Sequence, residues 1–93
     1  MSLGTRAKDP DATVDYAIDW SAWLGSDTLL SSTWVVPSGL TQPVSPAASF
    51  TSTVTTVWLT GGTLGQSYTV TNRITTAAGR IDDRSFDLRV EER

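Results

Sequence analysis

Apolar residues in this chain recur mostly at every second position, the period of a strand with one buried face. Over residues 14–19, Val14, Tyr16 and Ile18 share one phase and Asp15, Ala17 and Asp19 the other, which predicts a half-buried strand. The alternation breaks at Trp20-Ser21-Ala22-Trp23-Leu24-Gly25. Trp20 and Leu24 stand four apart, as on a single helical turn, and Gly25 is placed to end it. Ser26-Asp27 reads as a turn. A second strand is expected over 28–36, with Leu30, Trp34 and Val36 facing the core and Ser31, Thr33 and Val35 facing outward. Pro37 stops it. Three prolines and Gly39 within 37–46 predict a loop or a crossing between sheets. Residues 50–60 supply one or two further short strands.

The most specific pattern lies toward the C-terminus. Tyr68, Val70 and Ile74 alternate with Thr69, Thr71, Arg73 and Thr75; after Ala77-Ala78-Gly79, Phe86, Leu88 and Val90 alternate with Ser85, Asp87 and Arg89. If Thr76 pairs with Arg80, the loop has three residues, and Gly79 takes the left-handed position of a type I turn plus bulge. That register sets Val70 opposite Phe86 and Tyr68 opposite Leu88 on the apolar face. It sets Arg73 opposite Asp83 on the other, a favourable cross-strand pair. Toward the tip, the inward phase changes to Arg84, Asn72 and Asp82. These three are expected to close one end of the core as a polar layer, with Arg84 bonded to a carboxylate or to carbonyls, because an unpaired buried guanidinium is costly. Upstream, Gly61-Gly62, Gly65 and Tyr68 follow the order of a tyrosine corner, whose hydroxyl meets a backbone group between Thr63 and Gly65. The spacing of these elements predicts an all-β fold: an immunoglobulin-like antiparallel β-sandwich of six or seven strands with one short helical turn. Its structural positions are Tyr68, Gly65, Gly79, Trp34, Trp58 and Arg84.

At 93 residues the chain is one domain, able to bury roughly 60–65% of its unfolded surface. Residues 1–7 are expected to be a disordered tail, with Met1-Ser2-Leu3 resembling a cloning scar, and 8–93 the single domain; the polar stretch over 5–12, with Asp9-Pro10-Asp11, reads as a tail or an edge strand leading into it. Thr and Ser supply 26 residues, and the β-branched bias favours strands. There is no Cys, so neither a disulfide framework nor a thiolate site exists; the chain was built in a reducing compartment or needs no staples. There is no His either, which removes Ser-His and Cys-His dyads and ordinary zinc sites. A net charge of −3 without a basic patch argues against nucleic acid as a partner. No apolar run approaches the ~20 residues of a membrane span.

One run changes the picture. Between Asp27 and Arg73 lie 45 residues without a single charge, whereas an ordinary solvated surface intersperses both signs. Either hydroxyls keep this surface wet, or another protein covers it, since interface centres are depleted in charge. The candidate contact residues are Ser31, Thr33 and Val35 on the second strand and Leu40 and Gln42 in the loop, all expected to point outward.

Four Trp in a small domain also admit a sugar-binding reading. Trp34 and Trp58 sit in apolar runs and are expected in the core; Trp20 and Trp23 flank a turn, where one of them could offer a ring to a carbohydrate. Asp82 and Asp83 are adjacent in a strand and therefore point to opposite faces, which rules out a paired acid and base. Asp9, Asp11 and Asp15 lack the Gly and Glu of a calcium loop. The run Gly61-Gly62-Thr63-Leu64-Gly65 has no following Lys and is no phosphate loop. No catalytic, cofactor or metal site is expected.

The residues Asp15-Tyr16, Asp19-Trp20-Ser21 with Leu24, Ser32-Thr33-Trp34 and Val36-Pro37 carry a resemblance, continued by Val57-Trp58-Leu59, Gly61-Gly62, Gly65, Tyr68-Thr69-Val70-Thr71, Ile74-Thr75-Thr76, Gly79 and Asp83-Arg84-Ser85-Phe86. Over nearly all of 8–92 the chain resembles the fiber-tail adaptors encoded by tailed bacteriophages and prophages. The resemblance implies an immunoglobulin-like virion protein of the tail, assembled in the cytoplasm of the bacterial host and without enzymatic activity. It implies protein contacts with other phage tail or fiber proteins, compatible with a homo-oligomer; the charge and the absence of a long apolar run already argue against nucleic-acid and membrane partners. The contrasting reading is a carbohydrate-binding surface module using an exposed Trp.

Overall fold

The computed structural model describes residues 2–92, and for Ser2 and Leu3 the backbone alone. Among these residues the chain forms β1 (Ser2–Lys8), β2 (Val14–Asp19), the helical turn α1 (Ser21–Leu24), β3 (Leu29–Val35), β4 (Leu40–Thr41), β5 (Ser49–Phe50), β6 (Val54–Gly61), β7 (Ser67–Thr76) and β8 (Ile81–Val90). One sheet has the order β1-β8-β7-β3. The other has the order β2-β6-β4, with β5 also on β6. Their inner faces meet in one apolar core, so the fold is an all-β sandwich.

The β7–β8 hairpin adopts the register that its sequence predicts. Val70 faces Phe86, Tyr68 faces Leu88 and Arg73 faces Asp83. Thr76 N–H donates to Arg80 O at 2.8 Å, Gly79 N–H donates to Thr76 O at 2.9 Å, and Gly79 has φ 92°. At the opposite end, Thr63 N–H donates to the Tyr68 hydroxyl at 2.9 Å, so the tyrosine corner forms with the phenol oxygen as acceptor. Gly39 lies against the Tyr68 ring, where a Cβ would come within 2.8 Å of it. Gly65 belongs to the same corner and donates its N–H to Val90 O at 2.8 Å. Trp20, which caps α1, and Leu24 within it are both buried, and Gly25 ends the turn with φ 63°.

Four expectations need correction. Residues 2–7, expected as a tail, form most of β1, which pairs with β8 in parallel, so the sandwich is not wholly antiparallel; Met1 lies outside the described residues. The segment lacks alternation because its anchor is polar. Lys8 is buried, and its Nζ donates to Asp9 O at 2.8 Å and Gly61 O at 2.7 Å. Two carbonyls make the buried ammonium tolerable, while burial still lowers its pKa from the usual lysine value.

The second correction concerns β3. Leu29 pairs with Thr76 and Ser31 with Thr75, so Leu30 is the extra residue of a bulge. Leu29 turns inward and Leu30 is 64% exposed, while Trp34 and Val36 pack on the core as expected. Trp34 meets Phe86 edge-on at 6.4 Å. Third, Trp58 is not a core residue. Val57 and Leu59 occupy the inner face of β6, which leaves Trp58 half-buried on the outer face opposite Asp15. Fourth, Leu40 is 8% exposed and belongs to the core, because β4 pairs with the end of β6 and turns Leu40 inward.

A polar group lies where the inward phase changes. Asn72 is fully buried and makes four hydrogen bonds. Its Oδ1 accepts from Trp20 Nε1 at 3.1 Å and Thr55 Oγ1 at 2.8 Å. Its Nδ2 donates to Ser32 Oγ and Thr33 O, both at 2.9 Å. The Arg84 guanidinium stacks 4.2 Å over Trp20 and donates from Nη1 to Asp19 O at 3.2 Å. The Asp82 carboxylate, expected in the same layer, instead accepts the N–H of its neighbour Asp83 through Oδ1 at 2.9 Å.

Candidate interaction surface

β3 ends its sheet, and its outer face presents Ser31, Thr33 and Val35 in one exposed row. Across the ladder these residues meet Thr75, Arg73 and Thr71 of β7. Arg73 is held by Asp83 through Nε to Oδ1 at 2.8 Å and Nη2 to Oδ2 at 3.0 Å. The hydrogen bonds from Arg73 hold the Asp83 carboxyl below its usual value, and Asp83 in turn raises Arg73. The charge that faces β3 across the ladder is thus paired in place. Leu30 and Val35 are each 64% exposed, and Ile81 is exposed beside Thr75. The strand therefore offers hydroxyls and aliphatic side chains without a net charge.

The loop that follows contributes less than its sequence suggested. Leu40 leaves the surface for the core; Gln42 stays exposed beyond β4, and Val44 is 93% exposed. Ser31, Thr33 and Val35 are brought together on one strand, whereas Gln42 stands on a separate segment. Leu30 and Ile81 were missed as surface residues. The Leu29-Leu30 doublet carried the signal, since a regular strand can turn only one of two neighbours inward.

The family model described as Podophage GP4 fiber-tail adaptor protein gp77 matches residues 8–89. The chain belongs to that family. No curated protein matches it. The family's name is that of a structural component of the phage tail, and its match spans both sheets of this adaptor-family member, from buried Lys8 to Arg89 of β8.

Trp20, Trp23 and several acidic residues of this adaptor-family chain are engaged in the fold. Trp20 is fully buried and cannot stack on a sugar. The Arg80 guanidinium lies 4.2 Å over the Trp23 ring, and its Nε donates to Asp27 Oδ2 at 3.1 Å. Asp27 Oδ1 also accepts the N–H groups of Thr28 and Ala78, which ties the turn after α1 to the β7–β8 loop. Asp83 points to Arg73 while Asp82 lies in the inward phase, as adjacent strand residues must. Asp9 Oδ1 accepts Asp11 N–H at 2.9 Å, a local turn contact.

Proposed function

We propose that this chain is a non-enzymatic structural adaptor of the phage tail that acts through protein–protein contacts with other tail or fiber proteins. It is a virion component assembled in the cytoplasm of the bacterial host. Family membership supplies the context. The observation that carries the contact mode is β3: an exposed edge strand, rich in hydroxyls and aliphatic groups, inside a 45-residue stretch without charge. The contact surface is the row Ser31, Thr33 and Val35, extended by Gln42. The pairing of β7 with β3 and β8 in one sheet, and of β2 with β6 in the other, also supports an immunoglobulin-like reading of the sandwich.

A charge at the centre of such a contact must be desolvated without a counter-charge. Thr33→Glu and Gln42→Lys are therefore expected to leave the isolated domain folded and to block its incorporation into tails. Normal incorporation of both variants would move the contact away from this surface. The carbohydrate reading retains one platform, Trp58, which lies on the outer face of β6 between the hydroxyl residues Thr56 and Thr60. A change in Trp fluorescence on adding host polysaccharide, lost in Trp58→Ala, would favour it.

A further inference from the structure

A free sheet edge is a template for another strand, and folded proteins guard such edges with charge, irregularity, proline or shortness. The edges of this sandwich differ sharply in that respect. β1 shifts register between Ser2 and Thr5 and carries Arg6. β2 carries Asp15 and Asp19 on its outer face. β4 and β5 have two residues each, with Pro43 and Pro46 between them. β3 has seven residues, no charge and no proline, and its one bulge sits at Leu30, leaving Ser31 to Val35 in regular register.

The available length of this edge is bounded at both ends. Leu29 N–H already donates to Ser52 O at 2.9 Å, and Pro37 has no N–H to offer. Residues 30–36 remain, and their midpoint is Thr33. We propose that β3 pairs antiparallel with β3 of a second copy of this chain about a two-fold axis at Thr33, joining two four-stranded sheets into one of eight strands. This deepens the reading of β3 as the contact strand and rests on it.

The segment is self-complementary in that register. Ser31 of one copy lies opposite Val35 of the other, Ser32 opposite Trp34, and Thr33 opposite Thr33, with the bulged Leu30 outside the paired register. The central Thr–Thr pair is favourable across strands, and its neighbours on the outer face, Ser31 and Val35, carry no charge. Each copy carries a net charge of −3, yet every charged residue lies outside 28–72. The Arg73 charge nearest the axis is neutralised by Asp83. Two copies can approach along β3 without bringing free like charges together. A second copy also meets the symmetry requirement of an isologous interface, in which one patch contacts itself.

The chain has no cysteine, so introduced thiols report cleanly. Directly opposed residues of antiparallel strands have Cα atoms about 4.5–5.5 Å apart, within disulfide range. Residues four positions out of register are about 13 Å apart along the strand. Oxidation of Thr33→Cys should therefore give a covalent dimer, as should the double variant Ser31→Cys/Val35→Cys. Ser31→Cys and Val35→Cys alone should give at least tenfold less. Sedimentation velocity of the unaltered chain should show a concentration-dependent dimer that Val35→Lys abolishes. Equal crosslinking at all three single positions overturns the register. A chain that stays monomeric at millimolar concentration, with Thr33→Cys folded by near-ultraviolet circular dichroism and uncrosslinked, overturns the self-pairing. The adaptor reading would survive either result, because incorporation of Thr33→Glu and Gln42→Lys into tails tests it separately.

Discussion

Trp20 and Asn72 are joined inside the sandwich: the indole Nε1 donates to the amide Oδ1 at 3.1 Å, and both residues are fully buried. Asn72 belongs to β7, and Trp20 lies between β2 and α1, so the bond ties the two layers together. Thr55 of β6 donates to the same oxygen. Asn72→Ala strands the Trp20 N–H and the Thr55 hydroxyl, each at about 1–3 kcal/mol. A net loss of about 3 kcal/mol in urea unfolding is expected, with native-like strand content retained in whatever fraction stays folded.

Leu40 and Gln42 separate core from surface in one short segment. Leu40→Ala should destabilise by about 2–3 kcal/mol, the range for a buried Leu that leaves a cavity. Gln42→Ala should change stability by less than about 0.5 kcal/mol. Denaturant midpoints of the two variants measure the contrast directly.

Asp27 makes the fold sensitive to acid. Its carboxyl is held below the usual Asp range, first by the Thr76 hydroxyl and then, against the opposing cost of desolvation, by the Thr28 and Ala78 N–H groups and the Arg80 guanidinium. A depressed folded-state pKa means that the unfolded chain binds the proton first. The stabilisation is therefore complete above about pH 5 and is lost as pH falls through the folded-state value. Asp19, bonded to the Ser21 N–H, and Asp83, bonded to Arg73, contribute with the same sign. Melting temperature should fall on acidification from about pH 5 to pH 3. Asp27→Asn should melt lower at pH 7 and depend less on pH.

What the sequence disclosed follows from how many independent signals fell on one segment. In the β7–β8 hairpin, Gly79, the parity of Val70 and Phe86, and the Arg73–Asp83 pair all specified one register. In β3 only parity was available, and the bulge at Leu30 displaced it, so Leu29 and Leu30 exchanged roles while Ser31, Thr33 and Val35 stayed outward. Trp58 was legible by parity, because Val57 and Leu59 on its two sides already claimed the inner face; bulk and an apolar neighbourhood suggested otherwise. Leu40 was hidden by the prolines around it, which mark a loop without showing that β4 would dock on β6. β1 left only a weak trace, a polar stretch open to being a tail or an edge strand, since a parallel strand at a sheet edge has no connecting turn to announce it. The strand proposed for contact was thus visible in outline from its missing charges, and its free edge only from the sheet order.

Trp58 and Trp20 should differ in cost as they differ in place. Trp20→Ala should cost about 3–5 kcal/mol, as for a buried aromatic. Trp58→Thr should cost far less, because Trp58 is only half-buried on the outer face of β6 and Thr suits a strand. Thermal melts of the two variants under one buffer test the assignment.

The central claim, that this chain is a structural part of the phage tail, is tested most directly by quantitative mass spectrometry of density-gradient-purified particles from the phage or induced prophage that encodes it. The account predicts the intact chain in those particles at a fixed ratio to the tail proteins, and its loss together with the tail when tails are sheared off. Abundant chain in the lysate with none in purified, tailed particles would contradict it.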